Sequence, residues 1–465
     1  MRGRPRAEWN MATNSSTETS ASEWLERRGR AVAMAIVGLA FTLRVVALVL
    51  QSDHLAQDRD AYLAIARNLA AGQGYVSVAG GPPTAYRPPL YPLVLALLLR
   101  VGRGTAGIAF LHTVLGVGTV CLTLLLGRRL GLGAGRFLAA LLVAADPLLV
   151  QYSTFPMTET VFTFLVAALL AAGMSLTETS GPAARGMVWR GALVGLLFGL
   201  CALCRPTIWA FGVLAVAWWC LPRPGRSSRR RGPSAGLMGR TALVVAIAAG
   251  LTVAPWILRN YRAFGLPIVT TTHGGYTLLL GNNPVFYREV VAQPWGTVWS
   301  GESLARWQRS LRRELDAAEP PLRTEPERDR WMYRRAWRTI VREPGWFLRS
   351  CWLRFRRLWS VAPVGPVRDT LPMPAIWAIR SYYAFVTAGL ILGLFRLRRI
   401  EWRRWMPLVL LIVAFTAVHL LYWSNMRMRA PLVPAIALLC ALGLVGAQRH
   451  KAADGFLEER TADRP

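Results

Sequence analysis

Apolar runs of about 17 to 22 residues recur along this 465-residue chain, each long enough to cross the hydrocarbon core of a bilayer. Inside lipid every backbone N–H and C=O must find a partner within the protein, so runs of this length form α-helices. Ten windows stand out, at about 31–50, 106–126, 137–151, 157–175, 189–204, 206–221, 239–258, 375–395, 405–423 and 430–447. Their recurrence makes the chain an all-α polytopic membrane protein. Hydrophobic residues at 53% and a mean hydropathy of +0.32 agree. The 137–151 window contains Asp146-Pro147, and proline removes a backbone donor, so this span is expected to kink or to pair with its neighbour as a re-entrant unit.

A formal charge of +30 would suggest nucleic acid in a soluble chain. Here the charge sits in short segments between apolar runs, which excludes a nucleic-acid partner and marks topology instead. Lys451 is the only lysine, so the other basic side chains are arginine. Every second loop is strongly basic: Arg128, Arg129 and Arg136; Arg185 and Arg190; Arg223 to Arg240; Arg396 to Arg404. The positive-inside rule then puts both termini in the cytoplasm of a cytoplasmic (inner) membrane protein. The expected organisation is a disordered tail at 1–30, a membrane domain at 31–447 and a tail at 448–465. Two outer loops, at about 51–105 and 259–374, face the periplasm or exterior. The first apolar run has no small-residue cleavage site after it and reads as a retained anchor. Five of the six cysteines lie in or beside apolar runs, so neither a disulfide framework nor a zinc site is expected, and Cys201-x-x-Cys204 reads as helix packing.

The long outer loop opens with a Gly- and Asn-rich stretch, RNYRAFGLPIVTTTHGGYTLLLGNNP, and continues through a charged helical stretch at about 302–342. It ends in REPGWFLRSCWLRFRRLWSV, where Trp346, Phe347, Trp352, Phe355 and Trp359 interleave with arginines, as in a helix lying in the headgroup layer.

Charge on the outer side runs against the topology rule and therefore needs a reason. Arg205, Arg259, Arg262, Arg427 and Arg429 sit at outer helix ends, where a prenyl phosphate headgroup would match their forked donors. Snorkelling to lipid phosphates is the alternative for any one of them. Asp58, Asp60 and Glu159 occupy the same side, with Asp146 nearby. Acids at a membrane surface are costly and point to function. The rival reading is capping: Asp58 as N-cap, Asp60 in the first turn, and Gly72 or Gly74 closing the helix. Glu159, after Thr158, can likewise favour a helix N-terminus.

These segments together resemble a known family. The run from Asp58 to Tyr75 (D-x-x-x-Y-L-x-x-A-x-x-L-x-x-G-x-G-Y) is followed by YRPPLYPLVLALL, PMTETVF, LCRP, APWILRNYRAFGLPIVTTTHGGYTLLLGNNP and RMRAPLVP. In this order they resemble bacterial glycosyltransferase family 39, relatives of the aminoarabinose transferases of lipid A modification and of protein O-mannosyltransferases. The resemblance implies a GT-C-like bundle of about ten transmembrane helices with outer juxtamembrane helices. It implies inverting transfer of a hexosyl or pentosyl group from a polyprenyl-phosphate donor to an acceptor hydroxyl or phosphate on a glycan, lipid or protein. The first-loop acid, Asp58, matches the family's base; relatives often follow it directly with a second acid, whereas Arg59 here separates it from Asp60. Donor phosphate would be held by Arg87, Arg205, Arg259, Arg427 and Arg429, with Glu159 as a second carboxylate. Tyr62, His273, Tyr276, Asn282 and Asn283 would contact substrate. No cofactor is required for such a transfer, and the need for a metal stays open. A transporter or flippase of lipid-linked sugars and a non-catalytic prenyl-phosphate-binding subunit are the rival readings. Transporters usually show paired repeats and midplane charges, and neither is visible here.

Overall fold

The structure is a computed structural model that describes residues 12–176, 186–221 and 235–447. In chain order the helices are α1 (Ala12–Leu50), α2 (Tyr62–Ala70), α3 (Leu90–Arg100), α4 (Gly104–Arg129), α5 (Gly135–Ala145), α6 (Pro147–Tyr152) and α7 (Glu159–Ser175). They continue as α8 (Met187–Cys204), α9 (Ile208–Cys220), α10 (Ala235–Phe264), α11 (Gly274–Gly281), α12 (Pro284–Phe286), α13 (Gly301–Asp316) and α14 (Glu325–Arg342). The last five are α15 (Pro344–Leu358), α16 (Pro366–Asp369), α17 (Met373–Arg396), α18 (Met406–Leu421) and α19 (Val433–Val445). No β-strand occurs among the described residues.

Among the described residues six segments are long and apolar enough to cross a membrane: Arg28–Leu50, Gly104–Arg129, Met187–Cys204, Gly236–Phe264, Met373–Arg396 and Met426–Val445. Shorter apolar helices, α3, α5, α7, α9 and α18, pack among them. Each of the ten expected windows falls on a helix, so the chain is an all-helical, multi-pass membrane protein.

The differences from expectation have local causes. The 137–151 window breaks at Asp146, whose Oδ1 accepts from the backbone of Leu148 (3.0 Å) and Leu149 (2.9 Å) and caps α6, with Pro147 in its first turn. The charged 302–342 stretch is two helices, α13 and α14, parted where Pro320-Pro321 cannot continue a helix. The Gly/Asn-rich stretch carries a helix, α11. The tail expected at 1–30 contains the start of α1, which is continuous from Ala12. Residues 1–11 and 448–465, and the basic positions Arg185, Arg223, Arg226 and Arg229 to Arg231, lie outside the described residues.

In lipid, helices gain little from hydrophobic burial against one another, so close backbone approach at small residues supplies much of the packing. Gly191, Gly195 and Gly199 form one such stripe on α8, laid against α10. A Cβ on Gly195 would stand 2.3 Å from the carbonyl oxygen of Val245 and 2.7 Å from the Cβ of Ala248. Elements α11 to α15, the outer unit of the expected topology, form their own core: Leu279, Phe286, Trp299, Trp307, Leu311 and Met332 cluster apart from the main bundle core. There α15 is inverted relative to a soluble helix. It buries Arg354 and Arg357 and leaves Leu348 66% and Trp352 61% exposed, an arrangement suited to lipid on the outward face. Both terminal nitrogens of Arg354 find partners inside, donating to the carbonyl of Gly281 (2.7 Å) and to Asn282 Oδ1 (3.2 Å), while its Nε is buried without one.

The α8–α10 contact yields a test. Gly195→Val should destabilise the detergent-solubilised protein by about 1 to 3 kcal/mol through overpacking. Gly250→Val, at a position with open space around it, should cost far less. Equal thermal midpoints for the two variants would remove the stripe from the packing argument.

Candidate active site

The first loop turns out of α1 through a short 3-10 segment, Ser52–Ala56, and reaches α2 over residues 57–61. The amphipathic sequence YLAIARNLA buries Tyr62, Leu63, Ile65 and Ala66. Asp58 reaches across its N-terminus, with Oδ1 accepting from the Leu63 N–H (3.1 Å) and Oδ2 from that of Ala64 (2.6 Å). The expected capping therefore occurs, but from four residues ahead of the helix, and Asp60 lies before the first turn instead of in it. Between Asp60 and the helix stands Ala61 at φ +61°, the only non-glycine residue in the left-handed region among the described residues. Such a conformation costs of order 1 to 3 kcal/mol, and it turns the chain sharply where Asp60 projects.

Asp60 meets two arginines from elsewhere in the chain. Its Oδ2 accepts from Arg427 Nη1 at 3.0 Å, and its Oδ1 lies 3.6 Å from Arg87 Nη2, while Arg87 Nε donates to the Asp60 carbonyl at 2.7 Å. Arg427 Nε also pairs with Glu159 Oε1 at 3.1 Å. Arg205, in the β-conformation that ends α8, donates from Nη2 to the same Glu159 oxygen at 2.5 Å and from Nε to Thr158 Oγ1 at 2.7 Å. Met157 and Met428 sulfurs lie against Arg427 Nη1 (3.6 Å) and Arg205 Nη1 (3.8 Å). Three guanidiniums and two carboxylates leave this cluster one positive charge in excess. The Glu159 side chain is sealed at 0% exposure, whereas Arg205, Arg427, Arg87 and Asp60 retain 12 to 20% and stay reachable. Burial pushes the Asp60 carboxyl up, but Arg427, Arg87 and Arg205 outweigh it and hold its pKa below the ordinary carboxylate value. Asp60 is thus an ion at neutral pH.

An aromatic wall borders the cluster. The Arg87 guanidinium lies 5.2 Å from the Tyr62 ring centroid and 5.0 Å from that of Tyr86. Tyr86 meets His273 edge to face (4.2 Å), and His273 stacks on Tyr276 (5.4 Å). Burial, reinforced by Arg87, drives the His273 pKa well below its usual value, so its ring is neutral. Its Nδ1 is buried without a hydrogen-bond partner. Glu325, in the first turn of α14, latches this wall to the outer unit: it accepts from Thr84 Oγ1 (2.7 Å), the Ala85 N–H (2.9 Å) and Thr272 Oγ1.

Of the residues singled out in the sequence, Asp60, Arg87, Arg205, Arg427 and Glu159 converge, with Tyr62 beside them and His273 and Tyr276 along the wall. Asp58 is held on α2. Arg259 is not in the cluster. Its Nη1 donates to the Thr84 carbonyl (2.7 Å) and its Nη2 to that of Tyr75 (2.9 Å), which fixes the first loop. Asn282 and Asn283 are buried caps: Asn282 Nδ2 donates to the Leu278 and Leu421 carbonyls, and Asn283 Oδ1 accepts from the Phe286 N–H. Arg429 is turned away and buried, donating to the carbonyls of Leu358 (3.3 Å) and Ser360 (3.1 Å) with its guanidinium 4.4 Å from the Tyr383 ring centroid. Tyr383 in turn donates to Asp146. Sequence reasoning passed over Tyr86, Thr158 and Arg44. Arg44 is a lone charge within an apolar span, 1% exposed, donating to the Ala40 carbonyl; that solitary position was the signal available. Among the described residues no three His, Cys, Asp or Glu side chains come together as a metal site.

No family model matches the chain, and no curated protein does. Among solved structures it is similar to the Archaeoglobus fulgidus oligosaccharyltransferase in the apo form, at 16% identity and a TM-score of 0.47 over 88% of this chain and 50% of that one. It is also similar to ArnT from Cupriavidus metallidurans bound to undecaprenyl phosphate, at 14% identity and a TM-score of 0.43 over 89% of this chain and 77% of that one. The chain spans half the length of the archaeal enzyme.

Arg427 and Arg429 lie two residues apart on one 3-10 turn and face opposite sides of it, so they should fail differently. Arg429→Met strands the Leu358 and Ser360 carbonyls and should cost about 1 to 3 kcal/mol of stability. Arg427→Gln leaves Arg205 on Glu159 and should weaken anion binding at the cluster, an effect that Arg429→Met should lack. Thermal unfolding and binding of a soluble short-chain prenyl phosphate separate the two. Equal losses of both kinds in each variant would contradict the division.

Proposed function

We propose that this chain is a GT-C-like membrane glycosyltransferase that moves a sugar from a polyprenyl-phosphate donor to an acceptor at the outer face of the cytoplasmic membrane. One observation carries the reading: Arg87, Arg205 and Arg427, distant in sequence, converge with Asp60 and Glu159 at the end of an apolar bundle, leaving an excess positive charge where a lipid-borne phosphate would lie. The order of motifs in the sequence supports it.

In this mechanism the acceptor oxygen attacks the anomeric carbon from the side opposite the phosphate, which inverts that centre. A bond forms from the acceptor oxygen to carbon, the bond from carbon to phosphate oxygen breaks, and its electron pair leaves with the phosphate. Charge on the phosphate grows through the transition state, and arginines already in place stabilise it without reorganising. Arg427 and Arg205 are held for this by Glu159, which is sealed from solvent and serves as their counter-ion. Asp60, shared between Arg87 and Arg427, is a weak base because its anion is so well stabilised. Asp58 makes no ion pair among the described residues, and two backbone N–H groups fix its carboxylate. It is the acid we assign to take the acceptor proton, which agrees with the family resemblance. The aromatic wall of Tyr62, Tyr86, His273 and Tyr276 borders the place where the sugar would lie. A metal is not assigned a role.

Asp58→Asn tests the base directly. Asparagine can keep a side-chain oxygen on the α2 N-terminus but cannot accept the proton, so turnover should fall roughly 10²- to 10⁴-fold with donor affinity retained. Asp60→Asn should lose less turnover and change donor affinity instead. Transfer of radiolabelled sugar from a lipid-linked donor to an envelope extract is the assay. Full activity in Asp58→Asn would remove its assignment, and absence of transfer by the unaltered protein would favour a transporter or a binding subunit.

Orientation has its own test. In a cysteine-free background, Ala317→Cys in the outer unit should react with an impermeant thiol reagent in intact cells. Ala134→Cys, between α4 and α5, should react only after permeabilisation. The reverse pattern would invert the topology.

A further inference from the structure

At the end of the bundle remote from Asp60, arginines gather a second time. Arg30 stands near the start of the apolar stretch of α1, Arg128 in the last turn of α4, and Arg136 in the first turn of α5. Together they border an open cleft of about 480 Å³ between these helices. Ala33, Leu124 and Leu125, about one turn deeper along α1 and α4, form its apolar walls. The Arg136 guanidinium lies 4.7 Å from the Phe137 ring centroid. None of the three guanidiniums has a carboxylate within ion-pair distance among the described residues. This contrasts with the other end, where every arginine of the cluster lies against Asp60 or Glu159.

A charged rim over an apolar slot is the complement of an amphiphile with an anionic head and acyl chains. We propose that the cleft is a binding site for an anionic membrane phospholipid, best matched by one with two phosphodiester groups. The rim explains the head: three unpaired guanidiniums at the level where the helices leave lipid attract phosphodiester oxygens and hold them with forked donors. The slot explains the lipid: a free phosphate would satisfy the arginines but leave Ala33, Leu124 and Leu125 uncovered. Two phosphodiesters match three cations better than one does, so cardiolipin should bind more tightly than phosphatidylglycerol. The site is independent of the transferase reading, because it shares no residue with that cluster.

The test uses the full chain in neutral detergent, with cardiolipin, phosphatidylglycerol, phosphatidylcholine or inorganic phosphate added, read by thermal midpoint and by native mass spectrometry of bound lipid. Cardiolipin should raise the midpoint by several degrees and remain bound, phosphatidylglycerol should do so less, and phosphatidylcholine and inorganic phosphate should do neither. The triple variant R30Q/R128Q/R136Q should lose at least tenfold in cardiolipin affinity, while the midpoint without lipid and prenyl-phosphate binding at the other end stay unchanged. An undiminished cardiolipin shift in that variant would overturn the proposal, as would an equal shift with phosphatidylcholine. Full reproduction of the effect by inorganic phosphate would reduce the cleft to a simple anion site and overturn it equally. Should the triple variant fold poorly, Leu124→Trp fills the slot and leaves the arginines in place. Retained cardiolipin binding in that variant contradicts the site, and lost binding supports it.

Discussion

A buried carboxylate with no solvent contact must be answered by cations, and Glu159 is the residue around which that requirement organises this molecule. It draws Arg205 from the end of α8 and Arg427 from the turn before α19, and Arg427 carries the connection on to Asp60 and through it to Arg87. Four separate chain segments are thereby tied at one end of the bundle. Burying any of these charges alone would cost several kcal/mol. The network is stable as a unit and is incomplete in one respect: it holds one cation more than it holds anions. A structure that needs only its own pairing would close that difference, whereas a site for a phosphate profits from leaving it open.

Much of this was legible from the chain because lipid imposes a simple grammar. The length of a span and the alternation of arginine between loops follow from bilayer thickness and surface charge, and all ten windows lie on helices. The eleven-residue α3 escaped because it is too short to read as a crossing and its Pro-rich lead-in resembles a loop. The glycine stripe on α8 stood in plain view at four-residue spacing, yet its meaning depended on which helix lay opposite. The convergence of Asp60, Glu159 and three of the arginines was anticipated only as a common side, without the pairings.

What could not be read was direction. Arg427 and Arg429 have nearly identical sequence surroundings, and only the 3-10 turn sends one into the cluster and the other to the Leu358 and Ser360 carbonyls. Arg259 matches every expectation for a phosphate ligand until the carbonyls of Tyr75 and Thr84 are placed before it. Asn282 and Asn283 look like polar loop residues, but they cap and brace the end of α11. Asp58 and Asp60 were separable in principle by the position of α2, and a boundary shift of three residues was enough to exchange their surroundings.

The latch made by Glu325 has a consequence for how such a chain can diversify. Its carboxylate joins Thr84 and Ala85 of the first loop to Thr272 at the foot of the outer unit, positions about 190 residues apart in the chain. The two segments are therefore joined as one piece of architecture. Exchange of the 259–374 segment with that of a distant relative would leave the first loop gripping the wrong partner, unless residues near 75–86 travelled with it. The transmembrane helices between them answer to a different constraint, their packing on one another, and not to this latch.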